Sequence, residues 1–122
     1  MSYASVHFDT PPSVNRIWKP GEFGFFKTAE YKAWKKSAGV EVMAARTKGL
    51  KFNEPIEVII IARRHNKLAD IDNLIKPTLD ALQFGQLIEN DNQVQCVTAR
   101  WALDHDIQHM NGRDVRVEVR SA

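Results

Sequence analysis

Residues 56–62, Ile-Glu-Val-Ile-Ile-Ile-Ala, constrain the fold of this chain more than any other stretch. Side chains alternate across a strand, so Val58 and Ile60 point opposite to Ile59 and Ile61, and both faces are apolar. A strand of that kind belongs in the middle of a sheet, covered on both sides. With 122 residues, the chain can build one domain with one core, spanning 1–122. The other elements must assemble around this strand.

Residues 3–8 alternate well enough for a first strand, which Pro11-Pro12-Ser13 breaks. Residues 16–27 read as a loop with Pro20, Gly21 and Gly24, although they also carry Trp18, Phe23, Phe25 and Phe26. Thr28 caps a helix with Glu30 in its first turn. Tyr31, Trp34, Ala38, Val42 and Ala45 then recur at helical spacing to about Thr47. Gly39 weakens that helix by about 1 kcal/mol relative to alanine and leaves room for a bend. A second helix is predicted over about 71–84, ending before Gly85. Strands follow over 94–103 and 113–120. The fold class is α+β in the order β-α-β-α-β-β, a mixed four-stranded sheet packed with two main helices.

The chemistry concentrates around the second helix. Asp70-Ile71-Asp72-Asn73 is followed by Lys76, and Asp91 comes about twenty residues on. Carboxylates held together repel one another and are costly to desolvate unless a cation neutralises them. Oxygen-only ligands suit Mg2+ or Mn2+. A lysine beside such a cation suits a phosphoryl oxygen, so the cluster points to metal-dependent phosphodiester hydrolysis. Ile71, Leu74, Ile75, Thr78, Leu79 and Leu82 share one helix face; Asp72, Asn73, Lys76 and Asp80 share the other. Pro77 disfavours a regular helix through residue 76, so the helix either kinks there or starts later with Asn73 as its cap. Asp91 returns beside one end of this helix or the other, and only the near end closes the triad. Taken singly, each residue has a plain reading: a helix cap, a surface Asp–Lys pair, a turn.

Other chemistries fit less well. An EF-hand from Asp70 would need other residues than Leu74, Ile75 and Ala81. Zinc would ask for Cys or His, and His105 and His109 sit in a polar stretch read as a loop. No P-loop, Rossmann glycine fingerprint or Ser-His-Asp arrangement is visible.

Charge is divided unevenly. Residues 1–51 carry nine Lys/Arg against four Asp/Glu, and residues 52–122 carry eight against eleven. The basic half is a candidate phosphate-binding footprint, with Arg16, Lys27, Lys32, Lys35, Lys36, Arg63, Arg64 and Lys67 as DNA-binding candidates. The plain alternative is that Lys32, Lys35 and Lys36 form a solvated helix face. Cys96 is the only cysteine and reads as core packing, with no internal disulfide, in keeping with a reducing cytoplasm. No run of about 18 apolar residues is present to span a membrane, and no secretory signal is expected at the start.

Several of these segments together resemble the RusA family of Holliday junction resolvases, small endodeoxyribonucleases often found in prophages. Pro11-Pro12-Ser13-Val14-Asn15-Arg16 resembles the family's opening motif, and Tyr31 and Trp34 its aromatic first helix. Asp70 to Lys76, running into Leu79-Asp80-Ala81-Leu82, resembles its central signature. Glu89-Asn90-Asp91-Asn92-Gln93-Val94 resembles its Asp-Asp-x-Gln-Val segment. The resemblance implies a Mg2+-dependent homodimer, with Mn2+ able to substitute, acting in DNA recombination and repair. It implies paired cuts in four-way junction DNA by attack of metal-activated water. Asp70, Asp72 and Asp91 match the metal-binding carboxylates, Lys76 matches the catalytic lysine, and Asn15 and Asn73 join the DNA-binding candidates. Asn90 departs from the pattern, standing where many members have an aspartate. With a dimer and a junction implied, Trp18, Phe23, Phe25 and Phe26 are expected either to close the dimer interface or core, or to stack on unpaired bases. The competing readings are a metal-dependent nuclease acting on flaps or forks, and a non-catalytic DNA-binding protein.

Overall fold

A computed structural model describes residues 3–12, 18–21, 24–46, 49–65 and 69–122, with the backbone alone for 18–21 and 24–27. Four strands form one mixed sheet: β1 (Tyr3–Phe8), β4 (Ile56–Ala62), β5 (Val94–Trp101) and β6 (Val115–Ser121), in the order β1-β6-β4-β5. β6 runs antiparallel to both β1 and β4, whereas β4 and β5 run parallel, from Ile56 opposite Val94 to Ala62 opposite Trp101. The isoleucine-rich strand is therefore internal, as its apolar run requires. Helix α1 (Ala29–Ala45) precedes it, and helix α2 (Ile75–Phe84) connects it to β5. No helix among the described residues is long and apolar enough to cross a membrane.

One face of the sheet is the core. Ile56, Val58 and Ile60 lie fully buried beside Val115, Val117 and Val119 of β6, under Val42 of α1 and Leu82 of α2. Thr28 caps α1 as read, accepting from the Tyr31 N–H at 3.2 Å. Phe8 meets the Trp34 ring edge-on at 5.5 Å between centroids, which ties β1 to that helix.

The opposite face differs from expectation. Ile61 is buried, but Ile59 is only partly covered, between Glu118 and Thr98 on the neighbouring strands. The short helix α3 (Asp104–Ile107) lies along this face, where a polar loop was expected. Ion pairs take the place of a second layer: Arg120–Glu57 at 2.7 Å, Arg116–Glu118 at 3.0 Å and Arg100–Asp106 at 2.6 Å. Arg100 grips both oxygens of Asp106 and the Leu103 N–H adds a third bond, which holds that carboxyl well below its usual range. Cys96 lies opposite Glu57 on an edge strand and is exposed, so it is not core packing.

A second correction concerns the loop expected over 16–27. Trp18–Gly21 and Gly24–Lys27 pair antiparallel as strands β2 and β3, with Trp18 opposite Lys27. Aromatic residues favour strands, and a two-stranded hairpin is all edge, so Pro20 is tolerated. The side-chain roles expected of Trp18, Phe23, Phe25 and Phe26 fall outside the described residues. The last two sheet strands are also shorter or shifted, β5 stopping at Trp101 and β6 starting at Val115. Arg113 lies before β6 and bonds Glu41 at 2.6 Å and Asp9 at 3.2 Å.

The two main helices approach on glycines. Gly85 follows α2 with φ −79°, a conformation open to any residue. Its bareness serves packing: a Cβ there would stand 2.5 Å from Val42 Cβ and 2.7 Å from the Gly39 carbonyl oxygen. Gly39 in turn makes room for the Phe84 ring, and α1 runs on through it to Ala45. Gly85→Ala is accordingly expected to cost about 1–3 kcal/mol by overpacking. Urea unfolding checks this, and an unchanged midpoint would contradict so close a helix contact.

Candidate catalytic site

β4 ends at Ala62, and the chain reaches Asp70 through a basic connection of which residues 66–68 lie outside the described residues. Asp70 opens a 3-10 turn, Ile71–Leu74, its carbonyl accepting from the Asn73 N–H at 3.2 Å. Helix α2 begins only at Ile75. Pro77 is then its third residue, where a missing N–H costs nothing because first-turn N–H groups have no partner inside the helix. Of the two options left by the sequence, the later start is what forms, but its N-cap residue is Leu74 rather than Asn73. The apolar face behaves as read: Leu74, Thr78, Leu79 and Leu82 are buried. Asp70 and Asp72 stay exposed at the start of the turn.

Asp91 returns to this same end. Lys76 Nζ donates to Asp91 Oδ2 at 3.0 Å and lies 3.3 Å from Asp80 Oδ1. Asp91 heads a second 3-10 turn, Asp91–Gln93, just before β5. Lys76 therefore pairs forward along α2 and across to Asp91, not back to Asp72 four residues earlier. The tighter winding of 71–74 rotates Asp72 away from the register that a continuous α-helix would give. The Asp91 hydrogen bond is the largest influence raising the Lys76 pKa, and burial works against it.

Gln93, not foreseen as functional, fixes the Asp91 turn. Its Oε1 accepts from the Glu89 and Asn90 N–H groups at 2.7 and 2.9 Å. Its Nε2 donates to the Phe52 and Glu54 carbonyls at 2.8 and 3.1 Å. One side chain thus bolts the loop to the approach of β4. The signal for it was present as Asn90 and Gln93 three apart, the spacing of a capping box. Asn90 Oδ1 accepts from the Asn92 N–H at 2.9 Å. Asparagine and aspartate are equally good caps, so the departure from the Asp-Asp pattern keeps this local role.

Asp80, on the polar face of the second helix as read, lies 3.3 Å from Lys76 Nζ. It also accepts a 2.5 Å hydrogen bond from the Tyr31 hydroxyl, across the α1–α2 contact. Burial, then Asp80, pushes the Tyr31 pKa far up, so this phenol stays a donor. Nothing in the periodicity of either helix announces that pairing.

The donor set at this end, three aspartate carboxylates open to water, has the chemistry of a site for a hard divalent cation. The side chains are not drawn together as they stand: among the described residues no three His, Cys, Asp or Glu gather closely enough to hold a metal ion. The candidate DNA contacts are scattered. Lys32 and Lys36 are exposed on α1, while Lys35 is half-buried with its ammonium 5.8 Å from the Phe84 ring centre. Arg63 is exposed, and Arg64 lies 5.3 Å over the Trp101 ring with one nitrogen 3.4 Å from the Ala69 carbonyl. Asn73 is half-buried in the first 3-10 turn. Asn15, Arg16, Lys67 and the side chain of Lys27 lie outside the described residues.

These features describe a small α+β protein whose βαβ crossover carries Asp70, Asp72, Lys76, Asp80 and Asp91. The protein-family description that matches is endodeoxyribonuclease RusA, over residues 9–120. The chain belongs to the RusA endodeoxyribonuclease family. No curated protein sequence matches it.

The Gln93 bolt makes a direct prediction. Gln93→Ala leaves two N–H groups and two carbonyls without their partner, at a cost of about 1 kcal/mol because water replaces part of the loss. Amide exchange at Glu89 and Asn90 should speed up well beyond that change in global stability. Equal protection in both proteins would show that the loop holds itself.

Proposed function

We propose that this chain is a Holliday junction resolvase, a Mg2+-dependent endodeoxyribonuclease that cuts paired strands of four-way DNA junctions as a homodimer. Membership of the RusA family supports nuclease chemistry on DNA. The observation that carries the site is the 3.0 Å contact between Lys76 and Asp91, which joins the start of α2 to the turn before β5. As a stabilising pair it would be a poor investment, since Lys76 is 68% and Asp91 37% exposed, and exposed pairs contribute about 0–1 kcal/mol. A lysine held there makes better sense as chemistry than as scaffolding.

In this reading Asp70, Asp72 and Asp91 hold Mg2+, with Mn2+ able to substitute. The bound cation supplies a Lewis acid that lowers the pKa of water and stabilises charge on a phosphoryl oxygen. Lys76, at the start of α2, directs its ammonium at the same phosphate and opposes the charge that grows in the transition state. Water oxygen bonds to phosphorus as the bond to the 3′ oxygen breaks, leaving 5′-phosphate and 3′-hydroxyl ends. Asn15, Arg16, Lys27, Lys32, Lys35, Lys36, Arg63, Arg64, Lys67 and Asn73 contact the DNA. Two copies about a two-fold axis match a substrate that itself approaches two-fold symmetry. The setting is cytoplasmic recombination and repair, in a chain of prophage type with one endonuclease domain over 1–122.

A labelled immobile four-way junction tests this, incubated with Mg2+ or with EDTA. Symmetrically paired nicks are expected in Mg2+ and none in EDTA. Asp72→Asn should abolish cutting while junction binding holds or improves, because a negative charge near phosphate is lost. A preference for flaps or forks would replace the junction reading with that of a general nuclease. Tight binding without any cutting would make the chain a DNA-binding module. An Asp72→Asn protein that cuts at the wild-type rate would remove the carboxylate site.

A further inference from the structure

Asp80 divides its two oxygens between two helices. Oδ2 takes the hydroxyl of Tyr31 at 2.5 Å, and Oδ1 lies 3.3 Å from Lys76 Nζ. The surroundings of the two carboxylates that share this lysine are unequal. The Asp80 side chain is 13% exposed and Asp91 37%. Tyr31 is itself buried and stacks on Trp34 with ring centres 6.0 Å apart, so its hydroxyl has little freedom. A short bond from a fixed, buried donor locks the rotamer of Asp80. Asp91 sits on a loop and meets water.

Lys76 Nζ lies on Oδ2 of Asp91, and a divalent cation taken by the same carboxylate repels that ammonium. Resting on the proposed resolvase reading, we propose that Asp80, clamped by Tyr31, is a positioning residue for Lys76. It retains the ammonium when Asp91 takes a cation, and so keeps Lys76 beside the phosphate and out of competition for the carboxylate. Asp80 touches neither substrate nor metal in this scheme and acts only through Lys76. When Asp80 is neutralised, Asp91 is the remaining carboxylate shown to hold Lys76. The ammonium then stays on Asp91, weakening cation binding and leaving the phosphate unattended.

A double-mutant cycle tests this with wild type, Asp80→Asn, Lys76→Ala and the double variant. Asparagine keeps an acceptor for the Tyr31 hydroxyl, so Asp80→Asn changes charge more than packing. Two readouts are taken: Mn2+ affinity without DNA by paramagnetic resonance, and single-turnover cleavage of a junction at saturating protein. Asp80→Asn should weaken Mn2+ binding and slow cleavage, each by roughly tenfold, as lost outer-shell partners do. In the Lys76→Ala background the same change should do neither, and Lys76→Ala alone should tighten Mn2+ binding. Tyr31→Phe should move both readouts in the direction of Asp80→Asn, by less; it carries the cycle if Asp80→Asn does not fold. Equal losses with and without Lys76, or no loss at all, overturn the positioning role. Wild type that binds Mn2+ but cuts no DNA defeats the resolvase reading and leaves the Mn2+ cycle to decide this one. Wild type that binds no Mn2+ defeats both.

Discussion

The parallel pairing of β4 with β5 is the constraint from which the rest follows. Antiparallel neighbours can be joined by a two-residue turn, but parallel ones need a crossover of a dozen residues or more. Here that crossover runs from Arg63 to Gln93, and it holds all the groups with candidate chemistry: Asp70, Asp72, Lys76, Asp80 and Asp91. The core fixes its middle, since Leu74, Leu79 and Leu82 are buried against the sheet. Its ends are left at the surface, where carboxylates remain hydrated. The proposed site would take its rigidity from this hydrophobic helix and its exposed carboxylates from the turns that flank it.

Electrostatics sort into two kinds on the molecule. On the open sheet face each arginine of the cross-strand network is matched by a carboxylate, and Arg100 with Asp106 forms a tight two-point pair that pins α3. These pairs serve the fold by covering a sheet face that no main helix protects. At the crossover one lysine faces two carboxylates, Asp80 and Asp91, with Asp70 and Asp72 at the same end of α2. Around Lys76 the carboxylates outnumber the ammonium, and that local excess is what a cation or a partner of opposite sign would neutralise.

Much of this could be read from residue order. The strand over 3–8, the apolar strand over 56–62 and the Thr28 cap all form where their patterns place them, because each depends on local periodicity or a single hydrogen bond. The paired strands Trp18–Gly21 and Gly24–Lys27 were hidden because Pro and Gly usually punctuate, and here they lie within short strands rich in aromatics. Ile59 misled for a different reason: its neighbours on that face, Glu118 and Thr98, belong to strands far away in the chain. The same limit hid the bond from Tyr31 to Asp80, forty-nine residues apart. The end of α2 to which Asp91 returns was likewise a tertiary matter, settled by how α2 lies between the parallel strands. Gln93 was legible in principle through its capping-box spacing.

The central claim is that the crossover brings Asp91 to Asp70 and Asp72 as one cation site. Anomalous diffraction from crystals of this protein grown with Mn2+ tests it most directly. The account predicts a Mn2+ peak ligated by oxygens of Asp70, Asp72 and Asp91, with Lys76 withdrawn from Asp91 and still on Asp80. A peak held elsewhere, or none at these carboxylates at saturating Mn2+, would contradict it.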